Sequence, residues 1–186
     1  MSKKEIKRGS YLYPMPIVLV GAVHEGRANF MPAAFAGILN MNPPVIALGL
    51  NKVHFTAKGI LENSAFSVNI PSTSMMKVTD YCGLVSGHKV DKSGLFKVFY
   101  GEMKTAPMIE ECPLTLECKL LQTVDFAIDR AFVGEIMHSY CDDKYMDGQT
   151  PDISKIDPLI FSLGDSSYWK LGEKIGKGWS SGKGYK

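Results

Sequence analysis

Lys52, His54 and Thr56, just after Asn51, bring a charged donor, an imidazole and a hydroxyl to a segment that precedes an expected helix start. Free backbone N–H groups at such a start favour an anion, phosphate above all. Upstream, Ala33, Ala34, Ala36 and Gly37 form a run of small residues. A flat ring could lie close to the main chain there and accept hydrogen bonds from its N–H groups. Together the two groups suggest a bound aromatic phosphate ester. The same residues also fit a plainer reading: tight packing for Ala and Gly, and a solvated helix cap for the polar group.

Elsewhere the chain offers little competing chemistry. Its four cysteines, Cys82, Cys112, Cys118 and Cys141, contain no CxxC pair, and His24, His54, His88 and His138 are scattered, so no metal site is expected. Reduced, buried thiols are the simpler expectation. No convincing Ser/His/Asp, Cys/His or paired-carboxylate set appears. The 21 basic and 19 acidic residues are mixed along the sequence and leave a formal net charge of +2, so no nucleic-acid face is implied. The longest apolar runs, 17–22 and 45–50, are too short to cross a bilayer. The opening Met-Ser-Lys-Lys-Glu lacks a signal-peptide core, which makes the cytoplasm the expected location.

The elements that would position these residues are mostly strands. With 186 residues, 45% of them hydrophobic, a single compact domain is expected. Strand patterns cover residues 17–22, 28–31, 45–50, 65–70, 114–124, 131–140, 159–163 and 167–171, with prolines mostly at their edges. Residues 125–130 predict a hairpin connection between the two long strands. Short helices are predicted over 55–63 and 74–81, the second with Ser72 or Thr73 as cap. Such a pattern argues for a barrel or sandwich. No GxGxxG follows a strand, and the Gly-Lys pairs at 176–177 and 182–183 lack Walker spacing. The glycine-rich tail, about 174–186, is expected to be mobile unless Trp179 docks on the body or on a second subunit.

Taken in order, a further set of motifs resembles the flavin reductase-like, flavoredoxin-type FMN-binding proteins. They are Tyr13-Pro14-Met15-Pro16; Ala28-Asn29-Phe30-Met31 before a small-residue helix; Asn42-Pro43-Pro44; His54-x-Thr56; Phe66 to Pro71; Ser86-Gly87 with Asp91-Lys92; Ala106-Pro107; Leu116-Glu117-Cys118; and Val133-Gly134-Glu135. The resemblance implies a mainly β protein with short helices, a split β-barrel of Greek-key topology, and a homodimer with FMN near the subunit interface. It implies that Asn29, Met31, Pro32, Ala33, Ala34 and Phe35 lie along the isoalloxazine. Lys52, His54 and Thr56 would take the phosphate and ribityl chain, and Asn69 would contact ring or ribityl or else serve as a structural amide. Ser86, Gly87 and Lys92 would close over the cofactor, unless Lys92 is a solvated surface lysine.

Where many members of the family it resembles carry Met-Thr-x-Ser before an aromatic residue, this chain has Met31-Pro32-Ala33-Ala34-Phe35. Two hydroxyls and one N–H are thereby missing from the ring's edge. The function implied is an FMN-dependent oxidoreductase fed by NADH, NADPH or a redox protein, with Phe35, Tyr168 and Trp169 as candidates for the exposed flavin face. The rival readings are an FMN electron carrier without its own small-molecule substrate, a flavin reductase supplying FMNH2 to a monooxygenase, and a cofactor-free interaction domain.

Overall fold

The computed structural model describes residues 2–185. Seven strands make one antiparallel sheet: β2 (Val18–His24), β3 (Arg27–Ala33), β4 (Ala36–Met41), β5 (Pro44–Asn51), β6 (Ala65–Ile70), β9 (Leu114–Asp125) and β10 (Asp129–Cys141), in the spatial order β3-β2-β6-β9-β10-β5-β4. Between them come β7 (Val98–Tyr100) and β8 (Pro107–Ile109), which pair with each other. A separate sheet joins β1 (Met15–Pro16), β13 (Ile160–Ser162) and β14 (Ser167–Trp169), and β11 (Met146–Asp147) pairs with β12 (Thr150–Pro151). The helices are α1 (Phe55–Asn63), α2 (Met76–Leu84) and the single turn α3 (Ile153–Ile156).

β6, β9 and β10 are spatial neighbours in chain order, and β5, which precedes them, returns to lie beside β10. That is a Greek key. Val20, Leu48, Phe66, Cys118 and Phe132 lie on five different strands yet share one buried cluster, which requires the sheet to curl around its own inner face. Ala57 and Ile60 of α1 enter the same cluster. Among the described residues the sheet ends at β3 and β4 with no ladder between them, and Gly49 N–H on Phe35 O (2.7 Å) extends the β4–β5 pairing into the Ala34-Phe35 corner.

β6 and α1 keep the boundaries read from sequence, and the other predicted strands shift by a few residues. The small-residue helix expected after Met31 is absent. Residues 27–33 form one strand, 36–41 another, and Ala34-Phe35 is the corner between them. The second predicted helix starts with a 3-10 turn, Thr73–Met75, and runs one turn further, to Leu84. Neither Ser72 nor Thr73 caps it with a side chain; Ser72 Oγ pairs with Ser74 Oγ (2.7 Å) and Thr73 Oγ1 with Asp157. Among the described residues no helix is long and apolar enough to cross a membrane.

Candidate functional site

Three pieces of chain converge beside β3. The turn after β5 is closed by His54 N–H on Asn51 O (3.1 Å) and Val53 N–H on Asn51 Oδ1 (3.1 Å), and it delivers the first turn of α1. His54 makes no side-chain cap, and the N–H groups of Phe55, Thr56 and Ala57 have no acceptor among the described residues. A helix start in this state presents donors and a partial positive charge. The third piece is the end of α2 with the loop to Lys92. Ser86 O accepts from Lys89 and Val90 N–H (2.9 Å each), and Ser86 Oγ accepts from His88 N–H (3.3 Å). Gly87 sits so close that a Cβ there would lie 2.6 Å from Asn29 Oδ1 and 2.9 Å from Phe55 Cβ. Only glycine fits that approach.

These pieces enclose a cleft of about 250 Å³. Asn29, Thr56, Ser86, Gly87 and Lys92 line it, with His54 at its mouth. Asn29 is buried and donates from Nδ2 to Thr56 Oγ1 (2.7 Å). Because Thr56 Oγ1 accepts there, its own proton remains free for another acceptor, and Thr56 is only 1% exposed. Lys92, at 2% exposure, donates to Cys82 O (3.0 Å) and Val85 O (3.3 Å), the last carbonyls of α2. That satisfies two of its three N–H bonds. No described carboxylate lies within 4.0 Å of it. Burial pushes the Lys92 ammonium below its ordinary value, with Cys82 opposing. A buried cation without a counter-ion is costly, and an anion in the cleft would relieve it.

A second hollow of about 180 Å³ continues from the first and shares Met31, Pro32 and His54 with it. Its walls are Ala33, Ala34, Phe35, Asn51, Asp129 and Leu163. Phe35 packs over Gly49, whose added Cβ would lie 3.1 Å from Phe35 Cβ. Pro32 packs on α2 just where Gly83 passes, a Cβ there falling 2.9 Å from Pro32 Cγ. His54 stands at the junction. Desolvation lowers its imidazole, Asp129 opposes, and Lys92 and His88 add to the lowering, so the ring is neutral at pH 7 and has a single N–H to donate. The groove is thus basic and rich in spare donors at one end, and small-walled and mostly apolar at the other, where Asn51 and Asp129 are its polar walls. It suits a flat ring carrying an anionic tail. Cys82 lines the basic end, but burial raises its thiol despite Lys92, so it is no ready nucleophile.

Eleven expected residues, Asn29, Met31, Pro32, Ala33, Ala34, Phe35, His54, Thr56, Ser86, Gly87 and Lys92, line one or other part of this groove. Asn29 does so beside Thr56 and Gly87 rather than along the Ala33–Phe35 corner. Two others do not reach it. Lys52 turns to the β9–β10 turn, its Nζ 3.9 Å from Asp125 Oδ2, because its own N–H is tied to Ile128 O (3.2 Å). Asn69 is fully buried inside the fold, donating to Leu19 O and Ser67 Oγ (2.8 Å each) and accepting from Ile109 N–H (2.9 Å). It is a structural amide. Ala36 and Gly37 belong to β4, and nothing lies within 4 Å of a Cβ built on Gly37, so the small-residue cradle narrows to Ala33 and Ala34. Tyr168 donates to Asp80 on α2 (3.0 Å), and Trp169 walls a different cavity.

Sequence reasoning missed Phe55, Cys82 to Val85, Asp129 and Leu163. Extending α2 by one turn would have found Cys82 to Val85, and Phe55 stands between His54 and Thr56 at the start of α1; Asp129, at the start of β10, and Leu163, just after β13, come from far along the chain.

The flavin reductase like domain profile matches residues 10–167, so the chain belongs to that family and, with it, to the flavin-binding redox proteins. It is similar to the crystal structure of flavoredoxin from Methanosarcina acetivorans, with 50% identity over 98% of both chains and a TM-score of 0.96. Flavoredoxin of Desulfovibrio vulgaris (Miyazaki F) is 37% identical over 98% of this chain and all of that one, with a TM-score of 0.91. An uncharacterised protein of Archaeoglobus fulgidus is 30% identical over 83% of this chain and 87% of its own. The fold is therefore the split barrel of the flavin reductase-like proteins.

Proposed function

We propose that the groove binds FMN and that the protein is an oxidoreductase passing electrons from a reduced nicotinamide through that flavin. The observation that carries the reading is the buried, carboxylate-free Lys92 beside the Thr56 hydroxyl and the open start of α1. Those groups fit a phosphate monoester: one cation, one hydroxyl proton and up to three backbone donors. Bound flavin would supply the hydride and electron chemistry itself. The chain's part is to bind and orient. Lys92 and Thr56 hold the tail, Gly87 closes over it, Ala33 and Ala34 let a ring approach the main chain, and Phe35 shields one side. Pro32 contributes no N–H, so the donors near the ring are backbone groups of its neighbours. No acid–base pair is needed, and none lines the groove beyond the neutral His54 near Asp129.

The likeness to two flavoredoxins supports a second reading, an electron carrier reduced by a protein partner. Ile38, Leu39 and Met41 on β4, exposed in the single chain, support a homodimer. The deciding experiment is an absorption spectrum of purified protein, with the released chromophore identified, before and after anaerobic NADH or NADPH. Released FMN that bleaches supports the oxidoreductase. FMN that stays oxidised selects the carrier, and a colourless protein that refuses added FMN rejects both.

A further inference from the structure

Beyond Trp169 the chain leaves its own body. Ile175 and Trp179 are fully exposed and Tyr185 is 93% exposed, and the hydrogen bonds described for residues 171–185 are all local. The segment is nevertheless built. Lys177 N–H donates to Ser181 Oγ (2.9 Å), Ser181 N–H returns to Lys177 O (3.0 Å), Lys183 N–H reaches Ser180 O (3.1 Å), and Trp179 sits at φ 56° on the resulting knuckle. An indole of this size held wholly in water on a shaped turn calls for a cover.

At the root of the arm, on the far side of residues 162–165 from the groove, lies a cavity of about 740 Å³. Its walls are Tyr11, Tyr13, Phe161 and Trp169, with Asp165 on the rim. No described residue of the arm beyond Lys170 lines it. We propose that Trp179 of one molecule seats in this aromatic cavity of a second copy of the chain, the two copies exchanging arms about a two-fold axis. The arm after Glu173 carries Lys174, Lys177, Lys183 and Lys186 and no acidic side chain, and the rim offers it one carboxylate, Asp165, beside Lys170. The 98% coverage at a TM-score of 0.96 takes in the arm, so its extended path recurs in a solved flavoredoxin. A projecting arm keeps one path when something outside its own chain holds it. Exchange covers both indoles at once and is self-complementary, as a closed dimer requires. Leu163, between the cavity residues Ser162 and Gly164, faces the groove, so the partner's arm braces one of its walls.

The test uses Trp169→Phe, which leaves Trp179 as the sole tryptophan and keeps the cavity wall aromatic. Dimeric protein should show blue-shifted, buried-indole emission that moves to the solvent-exposed position as dilution splits the dimer, followed in parallel by sedimentation. Tyr11→Ala in that background should expose Trp179, and deleting residues 171–186 should weaken the dimer at least tenfold. If Tyr11→Ala loses its near-native circular dichroism, Asp165→Lys on the exposed rim takes its place, with the same result expected. Solvent-exposed emission at every concentration overturns the proposal. So does buried emission that ignores dilution, which means seating in its own chain, or buried emission that ignores both cavity variants, which means a different seat.

Discussion

Two buried polar clusters, both built around an asparagine, have opposite states of completion. Around Asn69, each partner is matched: its amide donates to Leu19 O and Ser67 Oγ and accepts from Ile109 N–H, and Ser67 Oγ donates to Pro107 O. Around Asn29 the chain stops short. Thr56 keeps a spare proton, Lys92 a spare N–H and no counter-ion, and α1 three open N–H groups. A closed network holds the fold together, whereas an open one at the same depth is incomplete until something binds. That difference, more than residue type, marks the site.

The largest effect expected from this contrast comes from Asn69→Ala, which orphans Leu19 O and Ile109 N–H. It should cost about 3 kcal/mol in chemical denaturation while the folded fraction keeps its FMN affinity. Lys92→Met should do the reverse, weakening FMN by about 2 kcal/mol, near thirtyfold, in a titration of flavin-free protein, with no loss of stability in that form. Gly87→Ala should weaken FMN by about 1.5 kcal/mol, because its methyl meets Asn29 and Phe55. Thr56→Val should cost about 1 kcal/mol of affinity. Lys52→Ala, whose side chain meets the exposed Asp125 at 3.9 Å, should stay within about 0.5 kcal/mol.

The pH dependence sharpens the same contrast. Lys92 is held below its ordinary value of 10.5 by burial and would be raised by an anion, so affinity for FMN is full below the depressed value and falls as pH rises through it. Riboflavin, which lacks the phosphate, should show no such slope in the same titration, and Lys92→Met should abolish it for FMN.

The sequence could not separate Asn29 from Asn69, since both sit on strands among apolar neighbours; only the partners that arrive from β2, β8 and α1 do so. It did expose the strands whose alternation records one buried face, and it placed α1 residue for residue. β4 was unreadable for a physical reason. From Gly37 to Met41 it is exposed in the single chain, so no alternation marks it and its small residues looked helical. The end of α2 was hidden by Cys82-Gly83, where glycine answers to Pro32 across the groove rather than to the helix. Lys52 looked as good an anion ligand as Lys92 because the β5–β10 pairing that carries it to Asp125 is a contact at long sequence separation.

The most direct test is a titration of flavin-free protein with FMN and with riboflavin, in wild type and Lys92→Met. Wild type should prefer FMN by at least about tenfold, the worth of a charge-assisted contact, and the variant should lose most of that preference. Equal affinity of wild type for the two flavins, or a preference that survives in Lys92→Met, would contradict the assignment of the open network to the phosphate.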